Sequence, residues 1–165
     1  EPVFGSIDDM VDVLDPVMRQ ALHGGRPVAV VAHSMGGLVI RAWLARQPVW
    51  PGGLKACITI GSPHRGTWVA RWAHSPAARQ MREDSPWLQA LEHRERADDA
   101  KRYLCWRSLT DHVVYPPATA CLSGAEDRVV RCAGHVDLAF QPQVMGESLD
   151  RLASAFRSPA ERTCA

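Results

Sequence analysis

Hydrophobic residues near the amino terminus recur with the spacing of an amphipathic helix. They form one stripe from Ile7 to Leu22, with polar residues between them. Ser6 followed by Asp9 matches a capping box, so we expect the helix to begin directly after Ser6. The string His23-Gly24-Gly25 predicts its end, because glycine readily adopts the conformations that terminate helices. Pro16 predicts a kink or a restart within the helix.

Short apolar runs alternate with helical patterns along the rest of the chain. The runs are Val28–Val31, Leu54–Ile60, Tyr103–Leu109 and Arg128–Cys132. Strands that alternate with helices predict a parallel, doubly wound α/β sheet. We expect the first strand to be of the fully buried type. The spacing in Val144–Phe156 predicts a closing helix, with these residues on one face: Leu149, Leu152, Ala153 and Phe156.

The first apolar run leads directly into Ala32-His33-Ser34-Met35-Gly36-Gly37 and then into a helical pattern. This layout is that of a nucleophile elbow, a sharp strand-to-helix turn that exposes a serine hydroxyl above a parallel sheet. The usual pattern is G-x-S-x-G, and Ala32 replaces the first glycine, where a small residue still permits close packing. Ser34 is therefore the candidate nucleophile, and the Met35 backbone N–H is the candidate oxyanion donor. The alternative is an ordinary strand–turn–helix with a capping serine.

A serine nucleophile needs a base, and the base needs an orienting carboxylate. In an open parallel sheet such groups collect at the carboxyl ends of strands. Of the seven histidines, His64 and His135 directly follow strands, and the order Ser-Asp-His favours His135. Asp111 follows the third strand, whereas Asp127 precedes the fourth and would lie roughly 16 Å from the active edge. We therefore expect Asp111 to be the acid and His135 to be the base.

The surroundings of the nucleophile lead to further expectations. His33 precedes Ser34, and at so sharp a turn its side chain should point away from the nucleophile. The string His23-Gly24-Gly25 is similar to the H-G-G-G oxyanion motif of esterases, but it precedes the nucleophile's own strand and so falls at the wrong edge of the sheet. A second oxyanion donor should come from a loop after an earlier strand, and nothing upstream of Ser6 supplies one.

Composition and charge narrow the function classes. The 165 residues have a formal net charge of +1, with 19 basic and 18 acidic side chains interspersed, so no basic stripe suggests a nucleic-acid partner. No apolar run approaches the length of about 18 residues that indicates a membrane span. No signal-peptide pattern opens the sequence, and its start in a loop-then-helix pattern is typical of a piece of a longer protein.

The five cysteines do not form a C-x-x-C pair, which argues against a zinc site. Cys121 and Cys132 flank a predicted hairpin-like connection and would be able to form a disulfide in an exported protein. Neither a metal nor a cofactor is predicted.

The ordered motifs together resemble the bacterial triacylglycerol lipases and esterases of the α/β-hydrolase superfamily. They are Val31–Leu38, Ile60–Thr67, Thr110–Pro117 and Gly134–Leu138. The resemblance covers nearly the whole chain but only the second half of the family's fold, so the family's first strands are expected to be absent here. It implies a single, partial α/β-hydrolase domain over residues 1–165, with a mostly parallel sheet and flanking helices.

The resemblance also implies a lid-like helical insertion over residues 68–100. Trp68 and Trp72 lie one helical turn apart there, and together with His33 they are candidate substrate-binding residues. Packing of the insertion on the core is the alternative. Some secreted lipases hold calcium near the catalytic histidine, and Asp137 and Gln141 lie close to His135, but a calcium ion requires more oxygen ligands than are placed here.

The leading interpretation is a lipase- or esterase-type serine hydrolase that acts on a small-molecule or lipid ester, with contact to a lipid surface as an option. An acyltransferase or a thioesterase would use the same triad with another acceptor or leaving group. A hydrolase-like interaction domain without activity is the third interpretation. The family resemblance is compatible with secretion or a cell-envelope location.

Overall fold

The sheet has four parallel strands that follow their order in the sequence. The structure, a computed structural model, describes residues 5–157. The strands are β1 (Val28–His33), β2 (Leu54–Ile60), β3 (Tyr103–Ser108) and β4 (Glu126–Val130), and they lie side by side in the order β1-β2-β3-β4. Because all of them run in the same direction, the segments that follow them leave the sheet at one edge. The predicted parallel α/β sheet is confirmed.

Alternating side chains of the strands build two apolar clusters, one on each face of the sheet. Cys57 and Cys105 pack toward helices α1 (Ile7–His23) and α2 (Gly36–Ala45). Ile58 and Trp106 pack on the opposite face, where helix α5 (Pro142–Phe156) contributes Val144, and the Trp106 Nε1–H donates to Ser148 Oγ at 3.0 Å. The layer of helices on each face is therefore a direct result of the alternation along β2 and β3.

Helix α1 begins and ends where the sequence predicts. Ser6 caps it, with reciprocal bonds between the Ser6 and Asp9 side chains and backbones, and Gly24 follows its last residue. It continues without interruption through Pro16, so the helix does not restart there. The His23-Gly24-Gly25 string ends this helix and is therefore remote from the carboxyl edge of the sheet, as expected.

The lateral position of β1 in the sheet corrects the prediction of a fully buried first strand. Its residues are half-buried or exposed, and Val31 is 52% exposed. The physical reason is that β1 pairs only with β2 among the described residues, so one side and part of one face lack cover. Strand β4, at the other edge, runs over Glu126–Val130 rather than the predicted 128–132.

Helix α5 also differs from prediction in the face that it buries. Val144 and Ser148 are buried and Leu152 is partly buried, a spacing of one turn each, whereas Leu149 is 61% exposed and Phe156 is 43% exposed. A serine falls on the buried stripe because it accepts the indole hydrogen bond of Trp106. Of the four residues predicted to share the buried face, Leu152 packs on the cluster, whereas Leu149, Ala153 and Phe156 are exposed.

The segment over residues 68–100 consists of a 3₁₀ turn at Trp68–Trp72, helix α3 (Pro76–Gln80) and helix α4 (Pro86–Arg94). Both helices pack on the core, because Ala77 of α3 and Leu88 and Leu91 of α4 join the apolar cluster under α2. The Trp87 Nε1–H of α4 donates to the Asp8 carboxylate on α1 at 2.7 Å.

The cysteines that the structure describes are free. Cys57 and Cys105 are buried, while Cys121 and Cys132 carry free thiols and so do not form the disulfide considered from the sequence. Cys121 precedes β4 and Cys132 follows it, which separates them by about 16 Å of extended chain. Cys164 lies outside the described residues.

Two substitutions on α5 test its corrected orientation. Val144→Ala should lower the free energy of unfolding by about 1–3 kcal/mol, because it removes buried methyl groups from the cluster with Trp106. Leu149→Ala should change it by no more than about 0.5 kcal/mol, because that side chain is mostly in solvent. Urea unfolding of the two variants measures both values, and a larger loss for Leu149→Ala would contradict this packing.

Candidate active site

Ser34 occupies a sharp turn between β1 and α2. Its backbone is left-handed, with φ of 55°, a conformation that costs energy for a residue with a Cβ. The Ser34 N–H donates to the Ile60 carbonyl at 2.9 Å, which extends the β1–β2 ladder into the turn itself. Helix α2 then begins with Met35 as its N-cap and without a side-chain capping bond. The serine therefore does not cap the helix.

Small residues allow α2 to approach the loop after β2. A Cβ built on Gly37 would lie 2.2 Å from Ser62 Oγ and 2.6 Å from Ser62 Cβ, so a side chain does not fit there. A Cβ on Gly36 would meet only the Ala32 methyl, at 3.6 Å, which is an ordinary contact. Ala32 is thus accommodated at the position where the usual elbow has a glycine.

A chain of hydrogen bonds joins three residues from three different loops. Ser34 Oγ lies 2.9 Å from His135 Nε2, and His135 Nδ1 lies 2.8 Å from Asp111 Oδ2. With its proton on Nδ1, the imidazole donates to the carboxylate and accepts from the serine hydroxyl. His135 and Asp111 are buried, whereas Ser34 is half-buried. The arrangement can activate the serine oxygen by removing its proton.

Asp111 is fixed on both of its oxygens. Oδ2 accepts from His135, and Oδ1 accepts from the Val113 and Val114 backbone N–H groups at 2.8 Å and 2.9 Å. Burial raises the pKa of Asp111, but these hydrogen bonds outweigh it and leave the pKa below its ordinary value. The carboxylate is therefore ionised at neutral pH and can accept the hydrogen bond from the His135 Nδ1–H.

Gly61, directly after β2, lies beside the acid and the base, and its positive φ rather than a lack of space favours glycine there. It has a left-handed backbone with φ of 55°, and its N–H donates to the Trp106 carbonyl at 2.8 Å. A Cβ on this residue would lie 3.4 Å from both Asp111 Oδ2 and the His135 ring. Sequence analysis did not single out Gly61, although a glycine directly after a strand was the available signal.

The His33 side chain lies against His135, contrary to the expectation that it would point away from the nucleophile. Its Nε2 is 3.0 Å from the His135 carbonyl oxygen, and the centroids of the two rings are 4.8 Å apart. The ring is otherwise exposed. The turn is so sharp that both His33, the last residue of β1, and Ser34, the residue after it, face the loop after β4.

Trp68 and Trp72 form an exposed aromatic pair beside the acid loop. Their rings meet edge to face at 6.1 Å between centroids, and they are 43% and 74% exposed. The Trp68 N–H donates to the Tyr115 carbonyl at 2.8 Å, and the Thr67 hydroxyl bonds the Val113 carbonyl at 2.6 Å. The pair is thus connected to the segment that follows Asp111.

His64, the other histidine that follows a strand, lies in a buried structural network. Its Nε2 is 2.8 Å from Thr59 Oγ1, and its carbonyl accepts from the Arg41 guanidinium at 2.6 Å. Arg41 is buried in α2 and also makes two bonds to the Glu95 carboxylate, at 2.8 Å and 2.6 Å. Burial, with the Arg41 charge nearby, holds the pKa of His64 well below its ordinary value.

Asp127, the competing candidate for the acid, takes no part in this chain of hydrogen bonds. It lies within β4, where its carboxylate bonds Arg107 at 3.0 Å and 3.1 Å on the neighbouring strand. Because β4 begins two residues earlier than predicted, Asp127 is in the strand rather than before it.

A cavity of about 520 Å³ lies between α2, α4 and β3. It borders the hydrogen-bond network of His64, with Arg41, His64 and Glu95 in its wall, and neither Ser34 nor His135 lines it.

Within residues 5–157, no three acidic, histidine or cysteine side chains gather in the manner of a metal site. No helix of that same part of the chain has the length and apolar content needed to cross a bilayer.

The parallel sheet with its flanking helices has the architecture of a partial α/β-hydrolase fold, and solved structures share this architecture. The mature lipase BlEst2 of Bacillus licheniformis is similar with a TM-score of 0.66 and 17% identity, over 87% of this chain and 75% of that one. A monoacylglycerol lipase of Paleococcus ferrophilus is similar with a TM-score of 0.54 and 12% identity, over 91% of this chain and 74% of the lipase chain. Phospholipase PlaB of Legionella pneumophila is similar with a TM-score of 0.51 and 17% identity. The similarity covers 65% of this chain but only 28% of the phospholipase chain.

Residues 6–109 match the family described as the PGAP1-like alpha/beta domain, so the chain belongs to this family. The match includes Ser34 and ends before Asp111 and His135. A search of the curated proteins gives no match. The resemblance to lipases and esterases of the α/β-hydrolase fold is confirmed, and these findings are consistent with a carboxylic ester hydrolase.

The contact between α2 and the loop after β2 predicts opposite effects for two neighbouring glycines. Gly37→Ala should lower the free energy of unfolding by about 1–3 kcal/mol, because its methyl group would overlap Ser62. Gly36→Ala serves as the control and should be neutral or stabilising by up to about 1 kcal/mol, because alanine favours the helix. Equal values in urea unfolding would contradict the close approach of α2 to this loop.

The buried neutral His64 predicts that acid destabilises the fold. Because its pKa is lowered by folding from the ordinary value of 6.5, the unfolded chain takes up a proton that the folded chain does not. The stability that the neutral His64 contributes is therefore fully present above pH 6.5. As the pH falls below that value, the free energy of unfolding decreases by at most about 1.4 kcal/mol per pH unit.

Urea unfolding at pH 7 and pH 5 tests this effect. His64→Gln keeps a polar partner for Thr59 without this titration, so it should lose about 1–2 kcal/mol less than the parent between the two pH values. His93→Gln, at an exposed site on α4, is the matched control and should behave like the parent. An identical loss in His64→Gln and the parent would show that His64 does not drive it.

Proposed function

We propose that this domain hydrolyses carboxylic esters through an acyl-enzyme, with Ser34 as nucleophile, His135 as base and Asp111 as the orienting carboxylate. The observation that carries the proposal is the continuous chain of hydrogen bonds from Ser34 Oγ through His135 to Asp111. The left-handed backbone at Ser34 supports it, because strain of this kind persists where the surrounding structure enforces it and is common at active sites.

The reaction has two halves that use the same groups. His135 Nε2 takes the proton from Ser34 Oγ as this oxygen bonds to the carbonyl carbon of the ester, and the imidazolium then gives that proton to the departing alcohol as the carbon–oxygen bond breaks. Water attacks the resulting acyl-Ser34 with His135 again as base. The carboxylic acid leaves, and Ser34 regains its proton.

The charge that develops on the carbonyl oxygen would be stabilised by the Met35 N–H. Met35 stands at the start of α2, where the first backbone N–H groups have no acceptor within the helix. The same end of the helix carries the positive side of its dipole, which favours an anion. These properties supply one oxyanion donor from the elbow itself.

The substrate class that best fits the surroundings is a lipid-like ester. Trp68 and Trp72 place exposed aromatic surface beside the acid loop, where it would contact an acyl chain. Since α4 packs on the core, we assign the substrate-covering role to the Trp68–Trp72 turn rather than to the whole insertion over residues 68–100. The similar proteins named lipase, monoacylglycerol lipase and phospholipase support this choice.

Labelling with a fluorophosphonate, followed by intact mass and peptide mapping, tests the assignment. We expect one adduct, on Ser34, that disappears in Ser34→Ala. Asp111→Asn should lower the labelling rate by about 10³–10⁴-fold, because the imidazole loses its orientation and its charge partner. Asp127→Asn is the matched control and should label like the parent, since that carboxylate bonds only groups outside the site.

Three results would contradict the proposal. An adduct that survives in Ser34→Ala would place the nucleophile elsewhere. The absence of any adduct on a cooperatively folded chain, together with no release of acid from short-chain esters, would favour a hydrolase-like domain without activity. Transfer of the acyl group to an added alcohol in preference to water would instead indicate an acyltransferase.

A further inference from the structure

The loop that carries His135 is held on its amino-terminal side by β3 and its extension. The Ala133 N–H donates to Ser108 Oγ at 3.1 Å and to Thr110 Oγ1 at 3.0 Å. After His135, Val136 is 62% exposed, but the next turn is held by the Leu138 N–H, which donates to the Gly134 carbonyl at 2.9 Å, and by burial of the Leu138 side chain. These bonds involve the neighbours of His135, whereas the His135 carbonyl itself is attached from β1.

His33 makes that attachment. Its Nε2 is 3.0 Å from the His135 carbonyl oxygen, and a carbonyl oxygen only accepts hydrogen bonds, so the His33 Nε2 must carry a proton. His33 is the last residue of β1 and immediately precedes Ser34. The nucleophile segment and the base segment are thus joined twice, once between side chains and once through the His33 ring to the main chain.

We propose that His33 is a positioning residue whose Nε2–H anchors the His135 carbonyl and so holds the His135 imidazole within hydrogen-bond distance of Ser34 Oγ. This role rests on the proposed function of Ser34 as the nucleophile. It differs from substrate binding, because an anchor on the base changes the rate of attack by Ser34 and leaves the affinity for the acyl compound unchanged. Displacement of a catalytic group by a fraction of an ångström is enough to slow such a step.

Two substitutions separate the hydrogen bond from the bulk of the ring. His33→Leu removes the donor, whereas the amide nitrogen of His33→Gln can take the place of Nε2. We expect the maximal rate of fluorophosphonate labelling to fall about tenfold in His33→Leu and to stay within about threefold of the parent in His33→Gln. The half-saturating probe concentration should not change, and His93→Gln should match the parent in both quantities.

The outcomes distinguish this inference from the proposed function. Three results would refute the anchor alone: equal maximal labelling rates in His33→Leu and the parent, a change in His33→Leu that affects only the half-saturating probe concentration, or an equal loss of maximal rate in His33→Leu and His33→Gln. Absence of labelling in the parent and in all variants would refute the function of Ser34, and with it the positioning role. Urea unfolding of each variant accompanies these measurements, and a loss of rate with unchanged stability supports the anchor.

A measurement on the resting protein gives a readout that does not depend on activity. Nitrogen-15 NMR of the histidine side chains reports which ring nitrogen carries the proton. We expect His33 to be protonated on Nε2. A His33 ring that is protonated on Nδ1 alone would refute the anchor even in a protein that hydrolyses esters, because its Nε2 would then have nothing to donate.

Discussion

The left-handed turn at Ser34 is the constraint on which the rest of the site depends. Its cost is offset by the bond from its N–H to Ile60 and by the packing of α2 against the loop after β2. That packing requires Gly37, where even a methyl group would overlap Ser62. Contacts from β1, β2 and α2 thus hold the turn together, so the position of the Ser34 hydroxyl depends on the packing of all three elements.

The parallel sheet then determines which other residues can reach that hydroxyl. Since all four strands run in the same direction, the loops after β3 and β4 leave at the edge where Ser34 stands, and they bring Asp111 and His135 there. Asp127 has the same chemistry but bonds Arg107 in the body of the sheet. Position along a strand, and not residue type, separates the candidate acid from its competitor.

Sequence patterns predicted the elements that are defined by local chemistry. The capping box at Ser6, the extent of β2 and the order of strands and helices follow from residue types and spacing, and the structure has them as predicted. The exposure of β1 was missed, because an apolar run does not reveal whether a neighbouring strand covers it. The buried face of α5 was missed because Ser148 hides in the stripe as the acceptor of a tryptophan N–H.

The sequence also named residues at the candidate site without revealing how they contact one another. Spacing suggested Ser34, Asp111 and His135, but not that Gly61 would lie against the acid and the base or that His33 would turn toward the base. Likewise, His64 follows a strand as His135 does, and only its burial beside Arg41 shows that it belongs to the scaffold. Such contacts join segments far apart in the sequence, which one-dimensional patterns do not encode.

The edge position of β1 has a mechanical consequence for the nucleophile. Within residues 5–157, Ser34 stands at the end of a strand that pairs on one side only, with β2, and Val31 and His33 of that strand are exposed. Local opening of an edge strand needs less free energy than global unfolding, and each such opening would carry the Ser34 hydroxyl away from His135. Any group that paired with the free side of β1 would oppose such opening and hold Ser34 beside His135 without contacting either side chain.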